Sequence, residues 1–559
     1  MSIFTKVAIE QPKKSVFNLN HTRKMTAQAG DIVPVFCQYT MPGDKFNISL
    51  STFARTLALS APMMQNVSID IHFFNVPLRL LWKDWERFIS GPEKPTKQAD
   101  GKVKWDPDPV HPYIYLNHMT IDDIKKGHWS CGSLADYLGF PVLTKANQDK
   151  LNSSSSLNGT TKIDILPFRA YAQIYNDWYR DENLVDKIPM QLDGKLIDIE
   201  EFSELLRLRS RAWKKDYFTS ALPFPQRGDD VLLPLVDVNS GQTNADGGKV
   251  TANLVGEGPL FYRGNDSGLN NVITPGEKGF ALRTDAGETL KVQLSDNIKA
   301  DLSNLRSSTI IEIRRAFALQ KWFENSARLG ARYIEQMLAH FGVKSSDARL
   351  QRAEFLGGTS VPLVVDAVTQ TSESSHTPQG TQAGVATAIG GNHVVNYFCE
   401  EHSIILGLMT IRPQNQYVLG IPRQFNMFER FDFPFPEFAN IGEQDIKTKE
   451  LYLDLESTST TAKENKIFGY APRYSEFKFI PSTIHGEFKD SLNYWTMARS
   501  FDDTVALNPT FIEINRSQAS NKRPFAFSGN KHDYLVQINF DVTAVRPLPY
   551  YSTPGYLDH

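Results

Sequence analysis

Asp177 and Asp181 stand four residues apart in LPFRAYAQIYNDWYRDENLVD, residues 166–186, among Tyr171, Tyr175, Trp178 and Tyr179. On a helix this spacing puts both carboxylates on one face, where paired acids bind a cation or share the roles of acid and base. A charged helix face is more often a solvated rim, and Arg180 lies between the two acids as a compensating cation. The neighbours favour packing. Phe168, Tyr171, Tyr175 and Trp178 follow a 3-4-3 spacing that makes one apolar stripe, with Pro167 in the first turn, where a helix tolerates it. His393, Cys399 and His402 are the nearest approach to a metal-ligand cluster. They fall in a strand-like segment, where side chains alternate in direction and ligand spacing is not kept. No dinucleotide fingerprint, phosphate loop, nucleophile elbow or zinc-protease motif occurs. Two acids that meet only in space leave no sequence trace, so a carbohydrate-binding protein or glycosidase stays open as the alternative class.

Charge offers one asymmetry. Within the first 30 residues Lys6, Lys13, Lys14, Arg23 and Lys24 face a single acid, Glu10, whereas the whole chain carries a formal charge of -3. Contact with a polyanion must then be local. A basic arm either tracks a phosphate backbone or packs as an extended segment on a neighbour. The three cysteines, Cys37, Cys131 and Cys399, form no CxxC pair, which predicts a reducing compartment. The N-terminus lacks the pattern of a secretion signal and no apolar run reaches membrane-spanning length, so a soluble protein made in a cytoplasm is expected.

The elements that must position these residues are predominantly strands. The 559 residues carry 31 prolines, 35 glycines and 35 phenylalanines, which favours many short elements joined by turns. In VSIDIHFFNVP, Val67, Ile69, Ile71 and Phe73 alternate with polar residues and predict a half-buried strand. In YLVQINFDVTAVRP, Tyr534, Val536, Ile538, Phe540 and Val542 share one face. DIVPVFCQY and HSIILGLMTIRP read as further strands, the second apolar on both faces and hence central. Strands near both ends that close one core imply long excursions between them. Helices are predicted there over 309–342, with Ala316, Leu319, Phe323 and Ala327 on one face, and over RLLWKDWERFI. The segment 225–296 holds 11 of the 35 glycines and reads as an inserted surface excursion. TQTSESSHTPQGTQAGVATAIGGN reads as a long mobile loop.

Taken in order along the chain, several stretches resemble one known family. They are TAQAGDIVPVFCQYTMPGDKFNISLSTFAR, IDIHFFNVPLRLLWKDWERFISG, LPFRAYAQIYNDWYRDENL, YFTSALPFPQRG, SSDARLQRAEFLGGTSVP, ANIGEQ, FGYAPRYSEFKFIPSTIHGEF and RPLPYYSTPGYLDH. The chain is similar to the major capsid proteins of microviruses, in particular the gokushovirus branch. The resemblance implies a mainly β subunit, a single eight-stranded viral jelly roll whose long inter-strand insertions contain several helices. It implies sixty copies in a T=1 shell around a circular single-stranded DNA genome, assembled in the host bacterial cytoplasm and resident in the virion. A small basic DNA-binding protein, an internal scaffolding protein and a DNA pilot protein would be partners, and no cofactor or enzymatic activity is implied. Lys13, Lys14, Arg23 and Lys24 are then expected to face DNA. The 225–296 insertion, with Asp229, Asn244, Asp246, Tyr262, Arg263 and Asn265, is expected to form a threefold projection that meets a bacterial surface receptor. Phe433, Phe435, Phe438, Tyr550, Tyr551 and Tyr556 are expected at contacts between subunits, in place of covering the subunit's own core.

Overall fold

The computed structural model of the chain describes residues 13–90, 96–97, 103–104, 107, 109–115, 128–142, 162–193, 199–228, 273–276, 279–283, 289–290, 310–329, 346–347, 351–369, 382–418, 420–453, 466–501, 505–515, 519–526, 529 and 532–551. The chain divides into two compact units, one formed by Met1–Arg227 with Glu324–His559, the other by Gly228–Phe323. The principal strands of the larger unit are β1 (Ser15–Asn18), β2 (His21–Ala27), β3 (Val33–Thr40), β4 (Lys45–Thr56), β5 (Val67–Pro77), β6 (Glu354–Pro362), β7 (Val364–Thr369), β8 (Gln382–Phe398), β9 (Ser403–Pro413), β10 (Glu443–Lys447), β11 (Ile467–Pro472) and β12 (Tyr534–Arg546).

The larger unit is mainly β, and these strands pair only antiparallel. A six-stranded sheet runs β1-β12-β4-β8-β7, with β2 also paired to β12, and a four-stranded sheet runs β6-β5-β9-β3. Consecutive strands from β2 to β5 cross from one sheet to the other. β6 passes into β7 through Leu363 and so changes sheet in mid-course. One core lies between the sheets, built from Phe46, Ile48, Leu50, Ile538 and Phe540 on one side and Ile69, Ile71, Phe73, Ile405 and Met409 on the other. The period-2 pattern in β12 is realised as read: Tyr534, Val536, Ile538, Phe540 and Val542 are buried and the residues between them face outward.

A second apolar layer covers the back of the four-stranded sheet. There Phe74, Val76, Ile404, Leu406 and Leu408 meet Trp82, Trp129, Phe168 and Tyr171. This layer makes β9 central and buried on both faces, as its sequence indicates. It also corrects the half-buried expectation for β5, whose polar face is covered too: Asp70 is 3% exposed, and Ser68 and His72 are half-buried. The opening stretch supplies the cover. Its helix, Leu166–Ile174, has Pro167 in the first turn and continues as a π turn, Tyr175–Tyr179. The Tyr171 hydroxyl donates to the Ile32 carbonyl at 3.0 Å and accepts from Arg209 N–H at 3.0 Å, so the stripe is satisfied as well as buried.

Two other expectations change, and a third holds over the described part of its range. RLLWKDWERFI is two short helices, Leu78–Leu81 and Trp85–Ser90, because Trp82 leaves the helix at φ -151° and sinks its indole into the second core. The segment read as a mobile loop is β-strand from Gln382 onward, the start of the long β8. Its small residues serve close packing: a Cβ on Gly384 would come within 2.8 Å of Pro62, and one on Gly390 within 2.7 Å of Val361. The helix predicted over 309–342 is described from Ile310 to Leu329, and its stripe is only partly buried, with Ala316 covered and Leu319 exposed. In the smaller unit, Ile273–Gly276, Gly279–Arg283 and Thr289–Leu290 form a three-stranded antiparallel sheet.

Candidate interaction surfaces

The residues with catalytic potential are engaged separately. Asp177 accepts from Gln173 Nε2 at 2.8 Å and from Ala353 N–H at 3.0 Å. Asp181 accepts from Lys215 Nζ at 2.6 Å and from Asn183 N–H. The expected solvated rim is therefore corrected: Asp181 is largely covered, and Arg180 is buried with its guanidinium donating to Val185 O at 2.7 Å. His393 bonds Ser49 at 3.1 Å, His402 packs edge-on to Trp85, and burial pushes the Cys399 thiol up to about 11. Among the described residues no group of three or more His, Cys, Asp or Glu side chains is placed to hold a metal ion.

Among the described residues, exposed apolar side chains are concentrated around the proline-punctuated segment. Phe425, Phe428, Phe431, Phe433 and Phe435 are exposed, Phe428 by 84%. Phe438 is half-buried and meets Phe431 and Phe435 edge-on at 5.9 and 6.2 Å. Phe477, Phe479 and Ile480 add to the exposed set, Ile480 at 85%. Short 3-10 turns, Arg423–Phe425, Arg430–Asp432 and Pro436–Phe438, carry these rings. Pro434 and Pro436, either side of Phe435, block a regular ladder there and stiffen the backbone that carries Phe433, Phe435 and Phe438. Phe425, Phe479 and Ile480 also rim a 400 Å³ cavity whose inner wall includes Tyr217 and the buried Glu450. The Tyr217 hydroxyl donates to Glu450 at 3.0 Å, and burial raises the Glu450 carboxyl. At the C-terminal end Tyr550 stacks on Phe17 at 5.8 Å, and Tyr550 and Tyr551 are exposed; Tyr556 lies outside the described residues.

The outward face of the six-stranded sheet is a second surface. Register sets Lys24, Gln537 and Phe53 in one row, and Thr22, Asn539 and Ser51 in the next. Lys14, Lys24, Lys45 and Arg55 are exposed there with Asp541 and Asp366 as the acids. Lys14 Nζ donates to Gly43 O at 3.1 Å and sits 5.3 Å from the exposed Phe398 ring; Arg55 lies 5.3 Å from Phe53. Lys13 is exposed beside Lys14. Arg23 departs from the group, because adjacent residues of a strand point to opposite faces. Its guanidinium donates to Tyr137 O at 3.0 Å, and burial lowers its pKa. Asp229, Asn244, Asp246, Tyr262, Arg263 and Asn265 lie outside the described residues.

A profile of the capsid protein (F protein) family of phages matches residues 5–556. This chain belongs to that capsid protein family. Capsid protein VP1 of Bdellovibrio phage phiMH2K is 32% identical over 575 residues, covering 99% of this chain and 97% of the relative. VP1 of Chlamydia phage 1 is 30% identical over 613 residues, again covering 99% and 97%, and VP1 of Spiroplasma virus 4 is 30% identical over 565 residues, covering 97% and 95%. All three are gokushovirus-type microviruses, the group to which the ordered motifs pointed. The matches run nearly end to end, so they cover both surfaces just described and the segment between the two parts of the larger unit.

For a capsid protein, the residues that sequence reasoning passed over are informative. Phe425, Phe477, Phe479 and Ile480 carry no periodic signal, and only tertiary placement shows them uncovered. Lys45 and Arg55 were legible: KFNISL alternates polar and apolar, and its outward phase carried along the strand reaches Arg55 and, against its apolar type, Phe53.

Proposed function

We propose that this capsid protein is the coat subunit of a T=1 icosahedral shell, sixty copies enclosing a circular single-stranded DNA genome. Its role is structural, like that of its family, and the virion is where it resides. The observation that carries the reading is the end-to-end family match, joined to a set of phenylalanines that the subunit leaves exposed. The strand order supports a jelly roll: β2-β12-β4-β8 faces β3-β9-β5-β6, the eight strands of two interlocked Greek keys, with β7 as an added edge. The Phe433, Phe435 and Phe438 segment and the Tyr550, Tyr551 and Tyr556 tail then meet neighbouring copies. Closed point symmetry ends growth at a shell instead of an open fibre.

Lys13, Lys14 and Lys24, extended by Lys45 and Arg55, face the genome in this reading, with Phe53 and Phe398 available for base stacking. Arg23 points away from this face and is left out of the contact. The chain's net charge of -3 leaves most neutralisation to a separate small basic protein. An internal scaffolding protein and a DNA pilot protein complete the assembly partners, and the 225–296 insertion meets the bacterial surface at the threefold axes. Negative-stain electron microscopy of the purified subunit with its companion proteins tests the reading. Uniform icosahedral shells are expected; a persistent monomer that binds glycan would overturn it.

A further inference from the structure

A cavity of about 370 Å³ opens behind the four-stranded sheet, within the range of small-molecule sites, roughly 300–1,000 Å³. It is a different place from the phenylalanine surface and the outward sheet face. Its floor holds an unequal charge cluster. Asp70 Oδ2 lies 2.8 Å from Arg412 and 3.5 Å from Arg211, while Oδ1 accepts from the Ser360 hydroxyl at 2.7 Å. One carboxylate thus serves two guanidinium groups whose side chains are only 24% and 16% exposed. His72 adds no charge to offset or increase this excess: burial and Arg211 hold its imidazole down to about 4, and its Nδ1 pairs with the Tyr179 hydroxyl at 2.9 Å. Lys214 and Lys215 line the same cavity, Lys215 already paired with Asp181 at 2.6 Å. A covered cationic excess of this kind is relieved by an anion.

The walls give the anion a body. Phe74, Trp178 and Phe355 pack with ring centroids 5.5 to 5.7 Å apart and line one side. Trp213, 3% exposed, also lines the cavity, and its indole N–H has no acceptor among the described residues. Forked arginine donors suit phosphate, and an aromatic wall suits a flat ring. We propose that this cavity binds a nucleotide, its phosphate among Arg211, Arg412 and Lys214 and its base against the Trp178 and Phe355 wall. The nucleotide is either free or one unit of a single strand, and the two sources share this chemistry.

Tryptophan fluorescence of the full-length subunit, titrated with dAMP, inorganic phosphate and a short oligothymidylate, tests the assignment. Saturable quenching by dAMP is expected, with phosphate competing. Lys214→Ala and Arg211→Gln should each weaken dAMP by about tenfold, the loss of one charged hydrogen bond. Asp70→Asn should tighten it, since the competing carboxylate is removed while the Ser360 contact survives; a purely structural role for Asp70 predicts no such gain. Lys214 lines the cavity without belonging to the buried cluster, so its variant reads binding even if Arg211→Gln unfolds. Equal quenching by dAMP and by oligothymidylate per site indicates a free nucleotide, and tighter oligothymidylate binding that is also lost in Lys214→Ala indicates a strand. Absence of saturable quenching, or affinity unchanged in Lys214→Ala, overturns the proposal. So does oligothymidylate binding that is lost only in Lys24→Gln with Arg55→Gln, which would place the contact on the sheet face.

Discussion

His72 shows how a single side chain couples the fold to pH. Its folded pKa is near 4 against an ordinary 6.5, chiefly through burial and then through Arg211. Between those values the unfolded chain holds a proton that the folded chain does not, so stability falls as pH drops from 6.5 to 4, by at most about 3 kcal/mol. Urea unfolding at several pH values should show this slope, and His72→Gln should flatten it. The raised carboxyls of Glu450, Glu513 and Asp533 have the opposite sign and are present in both proteins. Phe73 tests the shared core directly. It is fully buried between the two sheets, and Phe73→Ala should cost about 3–5 kcal/mol through lost burial and an unfilled cavity.

At the scale of elements, β8 depends on what it lacks. A Cβ at Gly390 would press on the Val361 side chain of β6, so the two sheets approach closely at this point. Gly390→Val should lower stability by about 1–3 kcal/mol, read by thermal unfolding, whereas Ile389→Thr next to it, at a residue 78% exposed, should change it by less than about 0.5 kcal/mol. Equal effects would mean that strand propensity, and not close approach, sets the choice of glycine. Gly30 makes a related demand at the turn before β3: its φ is +88°, and a side chain there would collide with Ile514.

For the whole molecule, the uncovered phenylalanines separate folding from assembly. Phe428→Ser with Ile480→Ser removes two side chains that the subunit itself leaves more than four-fifths exposed. Far-UV circular dichroism and thermal stability should stay within about 0.5 kcal/mol of the parent, while shell yield in sedimentation should collapse. Loss of the fold would instead assign these rings to the subunit's own core. On the outward sheet face, Lys24→Gln with Arg55→Gln should reduce the salt dependence of single-strand binding by roughly two phosphate contacts in slope. An unchanged slope would remove the sheet face from the proposed genome contact. Deleting 229–296 should leave assembly intact and abolish adsorption to host cells.

Local pattern determined much of this protein. The alternation in β12 and the two-sided apolar run of β9 predicted strands, and the 3-4-3 aromatic spacing after Pro167 predicted a buried helix, because each signal is a period that the backbone itself imposes. The order of motifs likewise gave the family, since many short matches in sequence accumulate specificity that none has alone. Tertiary structure alone decided the rest. The second layer behind the four-stranded sheet covered the polar face of β5, burying Asp70 and leaving His72 half-buried. Close sheet contact made a strand of glycines and alanines whose composition reads as a loop. Exposure of Phe428 and Ile480, and the meeting of Asp70, Arg211 and Arg412 from distant segments, depend on which surfaces remain after packing. Periodicity reports a residue's direction relative to its neighbours in the chain, and it carries no information about what lies opposite.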